Sequence, residues 1–275
     1  MLNDRRMLEF LAVKACMAAS RVILEIYQTP FEVLTKSDDS PVTQADISSD
    51  NLIREILASS QIPVISEEVI SKFKNSDTPL FWCVDPLDGT REFVNKTGEF
   101  AINIALIENG KPIFGAICSP IQSTIWYTSS DGIMKYNFAK HHVDAINSNS
   151  ITDTFHLVYG TFSEEAKKKY QKLIDTLSSE FKIENKKVGS AVKFGLLAEG
   201  KADAYIRTGK TSIWDIAAGH ALLTMAGGSL INLETGEEME YSLDNLSNPP
   251  FIAYTSRAKV LFDFLSNKNL FNDKG

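Results

Sequence analysis

The chain has 275 residues, of which 44% are hydrophobic and 23% charged, a composition typical of a globular protein with a sizeable core. Its formal charge of −7 argues against a nucleic-acid-binding surface, which would need a basic stripe, and no apolar run reaches the ~20 residues that a membrane-spanning helix requires. The three cysteines, Cys16, Cys83 and Cys118, are odd in number and widely spaced among apolar residues, so we predict buried cytoplasmic thiols rather than disulfides or metal ligands.

The first 65 residues are predicted to contain two helices and two short strands. A helix over residues 4–28 has leucines and alanines at helical spacing and ends before Pro30. A second helix over residues 47–57 carries its apolar side chains on one face. Short strands are expected at residues 31–35 and 62–65, so helices and strands alternate in this part of the chain.

Two acidic positions lie beside these elements, and each allows two interpretations. Asp46 lies at the start of the second helix, where an acidic residue is usually a cap but would also be placed for catalysis. Glu67 and Glu68 come directly after the strand at residues 62–65. Adjacent glutamates are commonly solvated surface, but strand ends are also where ligands gather in α/β folds.

The most informative stretch is WCVDPLDGTREF at residues 82–93. An apolar strand leads into Asp85, after which Pro86 lacks the backbone donor that the sheet ladder needs, so the chain is expected to turn. Asp85 and Asp88 would repel each other at this corner unless a hard cation neutralised them, and carboxylate oxygens suit Mg²⁺. An ordinary turn followed by a helix cap is the alternative interpretation.

The end of the same stretch is suited to an anion. Gly89 permits a close backbone approach, and its amide and that of Thr90 lie where a helix would begin. The pattern therefore predicts a cation site beside a phosphate site.

The pattern changes twice in the rest of the chain. Residues 100–136 contain apolar runs separated by Asn-Gly and Asp-Gly turn signals, which predict an antiparallel meander. Residues 139–150 are weakly patterned and are interpreted as the connection between two halves. Beyond them strands and helices alternate, which indicates an α/β half. The predicted strands are 155–159, 181–186, 202–206, 229–232 and 251–254, and the predicted helices are 163–177, 191–198, 214–225 and 256–265.

Asp215 stands at the start of the predicted helix 214–225, where by itself it would be a cap. It belongs, however, to a set of four motifs: an Asp at a helix start, a Glu pair after a strand, DPLDGT, and a Trp-Asp pair followed by Gly-Gly. In order and spacing these resemble the lithium-sensitive phosphomonoesterases of the inositol monophosphatase superfamily, and the resemblance covers nearly the whole chain. The segments KSDDSPVTQAD, SEE, DPLDGTREF, GEFAINIALIENGKPIFG and GSAVKFGLLAEGKADAYIR most closely resemble its CysQ-type 3'(2'),5'-bisphosphate nucleotidases.

The resemblance implies a fold that is a layered αβαβα sandwich of the sugar-phosphatase type. We expect a single catalytic domain over residues 1–275. A metal-site subdomain at residues 1–140 would contain the antiparallel sheet, and a substrate-binding subdomain at residues 141–275 would contain a mixed sheet.

The resemblance also implies a metal centre of two or three Mg²⁺ ions, one of whose positions Li⁺ would occupy as an inhibitor. The side-chain ligands would be Glu67, Asp85, Asp88 and Asp215, with the Leu87 carbonyl as a further oxygen ligand. All are hard oxygens, which Mg²⁺ prefers.

The same resemblance assigns catalytic roles to Asp46 and Thr90, which would orient the attacking water, with Glu67 near that water. A metal-activated water would attack phosphorus directly, and no covalent intermediate is needed. The cysteines have no histidine partner in a motif, which argues against a cysteine or histidine phosphatase. The substrate would be contacted by Glu67, Leu87, Asp88, Gly89, Thr90, Ser190, Lys193, Arg207 and Asp215.

Substrate choice depends mainly on the second half. Ser190 and Lys193 match positions that contact the nucleotide in related bisphosphate nucleotidases, and Arg207 is a further candidate. At its helical position Lys193 could equally face solvent. Inositol monophosphatases usually carry a Glu seven residues before the Asp of the Trp-Asp pair, and Thr208 occupies that position here. This departure makes an inositol monophosphatase a weaker interpretation than a nucleotidase.

The function implied is hydrolysis of the 3'-phosphate of adenosine 3',5'-bisphosphate to AMP and phosphate, and of the same phosphate in its sulfated analogue. Such enzymes clear a by-product of sulfate assimilation. The alternatives are an inositol or other sugar-phosphate phosphatase and a non-catalytic Mg²⁺ or nucleotide sensor. We expect a monomer or weak homodimer that acts on a small molecule in the cytoplasm, with peripheral contact to the inner face of the cell membrane, as attributed to bacterial relatives.

Overall fold

The computed structural model describes residues 5–35, 41–69, 78–146 and 152–268. The helices are α1 (Arg5–Tyr27), α2 (Gln44–Ala58), α3 (Thr90–Val94), α4 (Glu164–Ser178), α5 (Val192–Ala198), α6 (Ile213–Met225) and α7 (Lys259–Asn267). The strands before residue 146 are β1 (Val33–Thr35), β2 (Pro41–Thr43), β3 (Val64–Ser66), β4 (Leu80–Asp88), β5 (Ala101–Glu108), β6 (Lys111–Ser119), β7 (Thr124–Ser129), β8 (Gly132–Asn137) and β9 (His142–Ala145). Those after it are β10 (Thr154–Tyr159), β11 (Lys182–Lys187), β12 (Ala204–Arg207), β13 (Thr211–Ser212), β14 (Ser229–Asn232), β15 (Ser247–Asn248) and β16 (Phe251–Tyr254).

The first large sheet has seven strands in the order β3-β4-β5-β6-β7-β8-β9. All neighbours are antiparallel except β3 and β4, which are parallel. One face of this sheet packs against α1 and α2 through a cluster that includes Ile23, Ile53 and Trp82. The predicted meander is present, and helices close its outer face.

The second large sheet has the order β11-β10-β12-β16-β14 and is mixed, as expected. Strands β11, β10 and β12 are parallel, whereas β16 runs antiparallel to both β12 and β14. Its outer face packs against α4 and α7 through residues such as Leu173, Ile252 and Leu261. This sheet therefore has its own helical cover on the side away from the first sheet.

Helices α5 and α6 fill the space between the two sheets. Their side chains share one apolar cluster with Ala101 of the first sheet and Phe251 of the second. Nearly every residue of α6 is buried, as expected for a helix that is apolar on all sides. The order of layers is therefore helices, sheet, helices, sheet, helices, and the predicted αβαβα sandwich is confirmed.

The structure corrects two local predictions. Strand β4 continues past Pro86 to Asp88, because a bulge shifts the pairing with β5 from Asp85 opposite Asn103 to Asp88 opposite Ala101. The bulge leaves Pro86 outside the ladder, so its missing donor does not end the strand. The residues expected to connect the halves also contain β9, which pairs with β8 and extends the first sheet.

Residues 36–40, the first part of the KSDDSPVTQAD segment, lie outside the described residues. Among the described helices, none combines the length and the apolar character needed to cross a membrane.

The packing of α5 on α6 gives a testable prediction. A Cβ on Gly219 of α6 would lie 2.1–2.6 Å from ring atoms of Phe194 on α5. We expect Gly219→Ala to lower the free energy of unfolding by about 1–3 kcal/mol, because overpacking outweighs the better helix propensity of alanine. Urea denaturation measures this, with Thr224→Ala at an exposed position of α6 as the control. Equal stability of the Gly219 variant and the control would contradict the described packing.

Candidate active site

A pocket of about 450 Å³ lies where the end of β4, the start of α6, the loop before α5 and the end of β12 meet. It therefore lies between the two halves of the chain. Six of the positions singled out in the sequence line this pocket, namely Asp88, Gly89, Ser190, Lys193, Arg207 and Asp215.

The bulge in β4 places two carboxylates at one end of the pocket. Asp85 is buried, and its Oδ1 accepts a hydrogen bond from the Leu87 amide at 3.0 Å. Asp88 Oδ2 accepts from the Ala191 amide, which lies just before α5. The turn that the sequence predicted is thus part of the strand, and it points acidic groups towards the second half.

Asp215 approaches the same point from the first turn of α6. Its Oδ2 accepts from the Ser212 amide at 2.7 Å and completes a capping box with that residue. Asp215 is therefore a helix cap, as its position alone suggested. One oxygen each from Asp85, Asp88 and Asp215 nevertheless lie within 4.8 Å of one another, so the cap is also part of an acidic cluster.

The cluster is electrostatically costly without a cation. Burial raises the pKa of Asp85 well above its ordinary value, and the charges of Glu67, Asp88 and Asp215 raise it further. Burial likewise raises the pKa of Asp88, and burial followed by the Asp88 charge raises that of Asp215 to about 8. Three close carboxylate oxygens in a buried site match the ligand preference of a hard divalent cation, so the donor set fits the expected metal.

Glu67 lies beside this cluster rather than within its closest group of oxygens. It follows β3, and its amide donates to the Val84 carbonyl at 3.2 Å, which ties it to β4 next to Asp85. Its charge contributes to the raised pKa of all three aspartates. Glu67 is partly exposed, as are Asp88 and Asp215, but it is not among the residues that line the pocket.

Asp46 and Thr90 are joined by a hydrogen bond from the Thr90 hydroxyl to Asp46 Oδ1 at 2.9 Å. The other Asp46 oxygen, Oδ2, accepts from the Thr43 amide and hydroxyl, both at 2.7 Å, in the capping box of α2. The capping interpretation of Asp46 is confirmed, since it is the N3 member of a capping box with Thr43, and its second oxygen contacts Thr90. Burial raises the pKa of this carboxyl, and its three donors oppose that rise.

The Thr90 hydroxyl also lies 3.3 Å from the Leu87 carbonyl. A threonine hydroxyl has one proton, and the shorter bond to a carboxylate is the stronger one. With that proton held by Asp46, the Thr90 oxygen is able to accept a hydrogen bond from a water. The geometry can therefore orient a water near Leu87 and the acidic cluster.

Gly89 precedes α3 in a left-handed conformation with φ of 93°. A Cβ there would lie 3.1 Å from the Glu99 carbonyl oxygen, so the position is both conformationally and sterically suited to glycine. This turn places Thr90 beside Asp46, as the hydrogen bond between them shows.

Lys193 does not face solvent, because it is only 5% exposed. Its Nζ donates to the Val188 carbonyl at 3.1 Å and to the Ser190 carbonyl. Burial lowers the pKa of Lys193 to about 8, and the Asp88 charge opposes that shift. Ser190 itself has a φ of 47°, so the loop before α5 is tightly bent around the ammonium group.

Arg207, at the end of β12, faces the same pocket from the second sheet. Its guanidinium donates to the Thr161 carbonyl at 2.6 Å and lies 5.6 Å from the ring centre of Phe162. The neighbouring Thr208 donates its hydroxyl to the Ala166 carbonyl at 2.7 Å and is not among the pocket residues. The pocket lining thus combines the carboxylates of Asp88 and Asp215 with the cations Lys193 and Arg207.

Sequence reasoning missed Asn103 in β5. This residue is 1% exposed, and its Nδ2 lies 3.3 Å from Asp88 Oδ2 and 3.4 Å from the Trp214 carbonyl. A signal was present, because Asn103 is the one polar residue in the run AINIAL. A polar side chain within an otherwise apolar central strand needs a partner.

Comparison with known proteins supports the expected relationship. The model of the inositol monophosphatase family matches residues 4–258. The chain is 34% identical over 239 residues to the 3'(2'),5'-bisphosphate nucleotidase CysQ of Salmonella typhimurium, covering 85% of this chain and 94% of the relative. It is 38% identical over 236 residues to the protein of the same name from Buchnera aphidicola, covering 83% and 85%.

A solved structure leads to the same family. The crystal structure of CysQ from Bacteroides thetaiotaomicron, described as a bacterial member of the inositol monophosphatase family, superimposes with a TM-score of 0.78 at 30% identity. The match covers 94% of this chain and all of that one. The sequence resemblance is thereby confirmed, and the chain belongs to the inositol monophosphatase family.

Proposed function

We propose that this protein is a Mg²⁺-dependent nucleotidase that hydrolyses the 3'-phosphate of adenosine 3',5'-bisphosphate to AMP and phosphate. The observation that carries the proposal is a pocket lined by Asp88 and Asp215, two members of a cluster of three aspartates, together with the cations Lys193 and Arg207. The relatives named as 3'(2'),5'-bisphosphate nucleotidases support the substrate class. We include the sulfated analogue, because it carries the same 3'-phosphate.

We assign two or three Mg²⁺ ions to Asp85, Asp88 and Asp215, with Glu67 and the Leu87 carbonyl as further oxygen ligands. The proximity of the three aspartates and their raised pKa values support this assignment. When bound, such ions lower the pKa of water and stabilise the attacking and leaving oxygens of a phosphoryl transfer. We also propose that Li⁺ inhibits the enzyme by replacing one of these Mg²⁺ ions.

The catalytic role of the chain is assigned to the Asp46–Thr90 pair. Asp46 holds the Thr90 proton, so the Thr90 oxygen accepts a hydrogen bond from the attacking water and aims it at phosphorus. Glu67, whose charge acts on all three aspartates, assists in placing that water. No side chain of the protein needs to form a covalent intermediate.

The substrate is proposed to lie in the pocket, in contact with both the aspartates and the two cations. The amides of Gly89 and Thr90 face the reacting phosphate, while Glu67, Leu87, Asp88 and Asp215 contact it through the ions. Ser190, Lys193 and Arg207 bind the rest of the nucleotide, including its second phosphate. The burial of Lys193 supports this role, because a buried ammonium next to a pocket is compensated by an anion.

The inositol and sensor alternatives are less well supported. Thr208 turns its hydroxyl to α4 rather than to the pocket, so it does not supply the acidic group that would hold sugar hydroxyls. The sensor alternative is disfavoured because the Asp46–Thr90 pair expected to orient the attacking water is present and hydrogen-bonded.

We also propose an organisation for the protein. The chain forms one catalytic domain, in which the metal-site subdomain extends to about residue 146 because β9 belongs to the first sheet. We propose a monomer or weak homodimer. A cytoplasmic location is supported by the three free, buried cysteines. We also propose that the protein contacts the inner face of the cell membrane peripherally.

The function is tested by turnover of two substrates. We expect phosphate release from adenosine 3',5'-bisphosphate in Mg²⁺, at least about tenfold higher in kcat/KM than from inositol 1-phosphate, because only the nucleotide has a second phosphate for Lys193 and Arg207. EDTA should abolish both activities. A preference for inositol 1-phosphate would overturn the substrate assignment, and full activity in EDTA would overturn the metal mechanism.

The role of Thr90 is tested by Thr90→Val, which replaces the hydroxyl by a methyl group of similar size. We expect kcat to fall by about 10²–10⁴-fold, because water orientation is lost. Thermal stability should fall modestly, because Asp46 Oδ1 loses its donor. Thr90→Ser keeps the hydroxyl and is the matched control, expected to retain most activity. A Thr90→Val enzyme with the kcat of the serine variant would contradict the assigned role.

The acidic cluster also predicts how stability depends on pH. The pKa of Asp215 is raised from 3.8 to about 8, so between these values the unfolded metal-free chain binds fewer protons than the folded one. The contribution of this group to stability is therefore full below pH 3.8 and is lost as the pH rises to about 8. Because Mg²⁺ needs ionised carboxylates, its stabilising effect should grow over the same range.

Thermal unfolding in Mg²⁺ and in EDTA measures this effect. The difference between the two melting temperatures should be larger at pH 8 than at pH 6 for the wild-type protein. Asp88→Asn, which removes one charge of the cluster, should reduce the difference at pH 8. A wild-type difference that shrinks from pH 6 to pH 8 would contradict the account.

A further inference from the structure

We propose that Asn103 is a positioning residue that sets the distance and orientation between the metal ligands of the two halves. The inference rests on the proposed function, because it takes Asp88 and Asp215 as metal ligands. It concerns a side chain of β5 that is placed behind the carboxylates and touches neither the pocket nor the expected substrate.

The position of Asn103 follows from the sheet register. It lies directly opposite Asp85 on the neighbouring strand, just before the bulge that carries β4 to Asp88. Directly opposed residues project from the same face of a sheet, so Asn103 and Asp85 share the face that α6 covers. With 1% of its surface exposed, Asn103 is part of the interior behind the acidic cluster.

The amide of Asn103 joins two elements that are more than 100 residues apart in the chain. Its Nδ2 lies 3.3 Å from Asp88 Oδ2 and 3.4 Å from the carbonyl oxygen of Trp214, the residue before Asp215. An NH₂ group has two protons and can serve both acceptors at once. One side chain thus connects the end of β4 with the first turn of α6.

The orientation of this amide is determined by charge. The Asp88 carboxylate and the Trp214 carbonyl are both acceptors, so the amide must present its nitrogen to them and turn its oxygen away. Among the described residues, the Asn103 Oδ1 atom is buried without a hydrogen-bond partner. An unpaired buried acceptor is unfavourable, so the chain retains Asn103 at a cost to stability. The two hydrogen bonds that the Asn103 amide donates, to Asp88 and to the Trp214 carbonyl, offset this cost.

The consequence for Asp88 is a fixed carboxylate plane. Its Oδ2 accepts from Asn103 on one side and from the Ala191 amide on the other, which assigns the remaining oxygen, Oδ1, to the cation. Donors behind a metal-ligating carboxylate orient it, and their removal typically weakens metal binding about 10–100-fold. Through Ala191, the same carboxylate also holds the loop that leads to Lys193.

The test measures Mn²⁺ binding without substrate, by the electron paramagnetic resonance signal of the free ion. Mn²⁺ is a hard cation that accepts the same oxygen ligands. Asn103→Leu removes both donors at similar volume, and Asn103→Ser shortens the side chain beyond the reach of both acceptors. Ile104→Val, a buried neighbour on the opposite face of β5, is the control for a general loss of packing.

We expect the dissociation constant for Mn²⁺ to rise about 10–100-fold in both Asn103 variants and to stay within twofold of the wild type in Ile104→Val. If Asn103→Leu does not fold, the serine variant gives the comparison. Binding within twofold of the control in the Asn103 variants that fold would overturn the inference while leaving the proposed metal site intact. Absence of Mn²⁺ binding in the wild type would overturn the metal site and the inference together.

Discussion

The mutual repulsion of three closely placed carboxylates, one buried and two partly buried, is the constraint on which the site depends. Asp85, Asp88 and Asp215 bring oxygens within 4.8 Å of one another in an interior where each loses hydration. Their pKa values rise as a result, so the metal-free site is expected to hold protons. Such an arrangement opposes folding, and it is understandable only if a cation of higher charge takes the place of those protons.

The fold resists this repulsion with hydrogen bonds at every carboxylate. The Leu87 amide holds Asp85, the Ser212 amide holds Asp215, and Asn103 with the Ala191 amide holds Asp88. Two of the three aspartates come from the first sheet and one from the helix between the sheets. The cluster therefore forms only when both halves are packed around α6, which couples the stability of the fold to the geometry of the site.

The sequence allowed the Asp85–Asp88 pair to be anticipated as a cation site, because the pair follows an apolar strand and leads into a turn. Asp215 by itself predicted only a helix cap, and its place in the cluster was implied by the family resemblance. The path of β4 past Pro86 did not follow, because a bulge depends on pairing with β5 rather than on local propensity. The strand β9 was missed for a similar reason, since its weakly patterned residues are ordered by pairing with β8.

Contacts between distant residues set the remaining limits of prediction. A capping role and a catalytic role were alternatives for Asp46 in the sequence, whereas the structure shows two carboxylate oxygens with separate partners. The helical spacing of Lys193 did not show whether its side chain is buried or faces solvent. The side chain is buried because the loop before α5 places two of its carbonyl oxygens around the ammonium group. The role of Asn103 could not be predicted from the sequence, because it depends on the contacts of its amide with Asp88 and with the Trp214 carbonyl.

The most direct measurement of the central claim is anomalous diffraction from crystals of the protein soaked in Mn²⁺ with AMP. The account predicts an anomalous peak about 2 Å from oxygens of Asp85, Asp88 and Asp215, in the pocket that also holds the nucleotide. Well-ordered carboxylates with no anomalous peak among them at saturating Mn²⁺ would contradict the claim that this cluster exists to hold a cation.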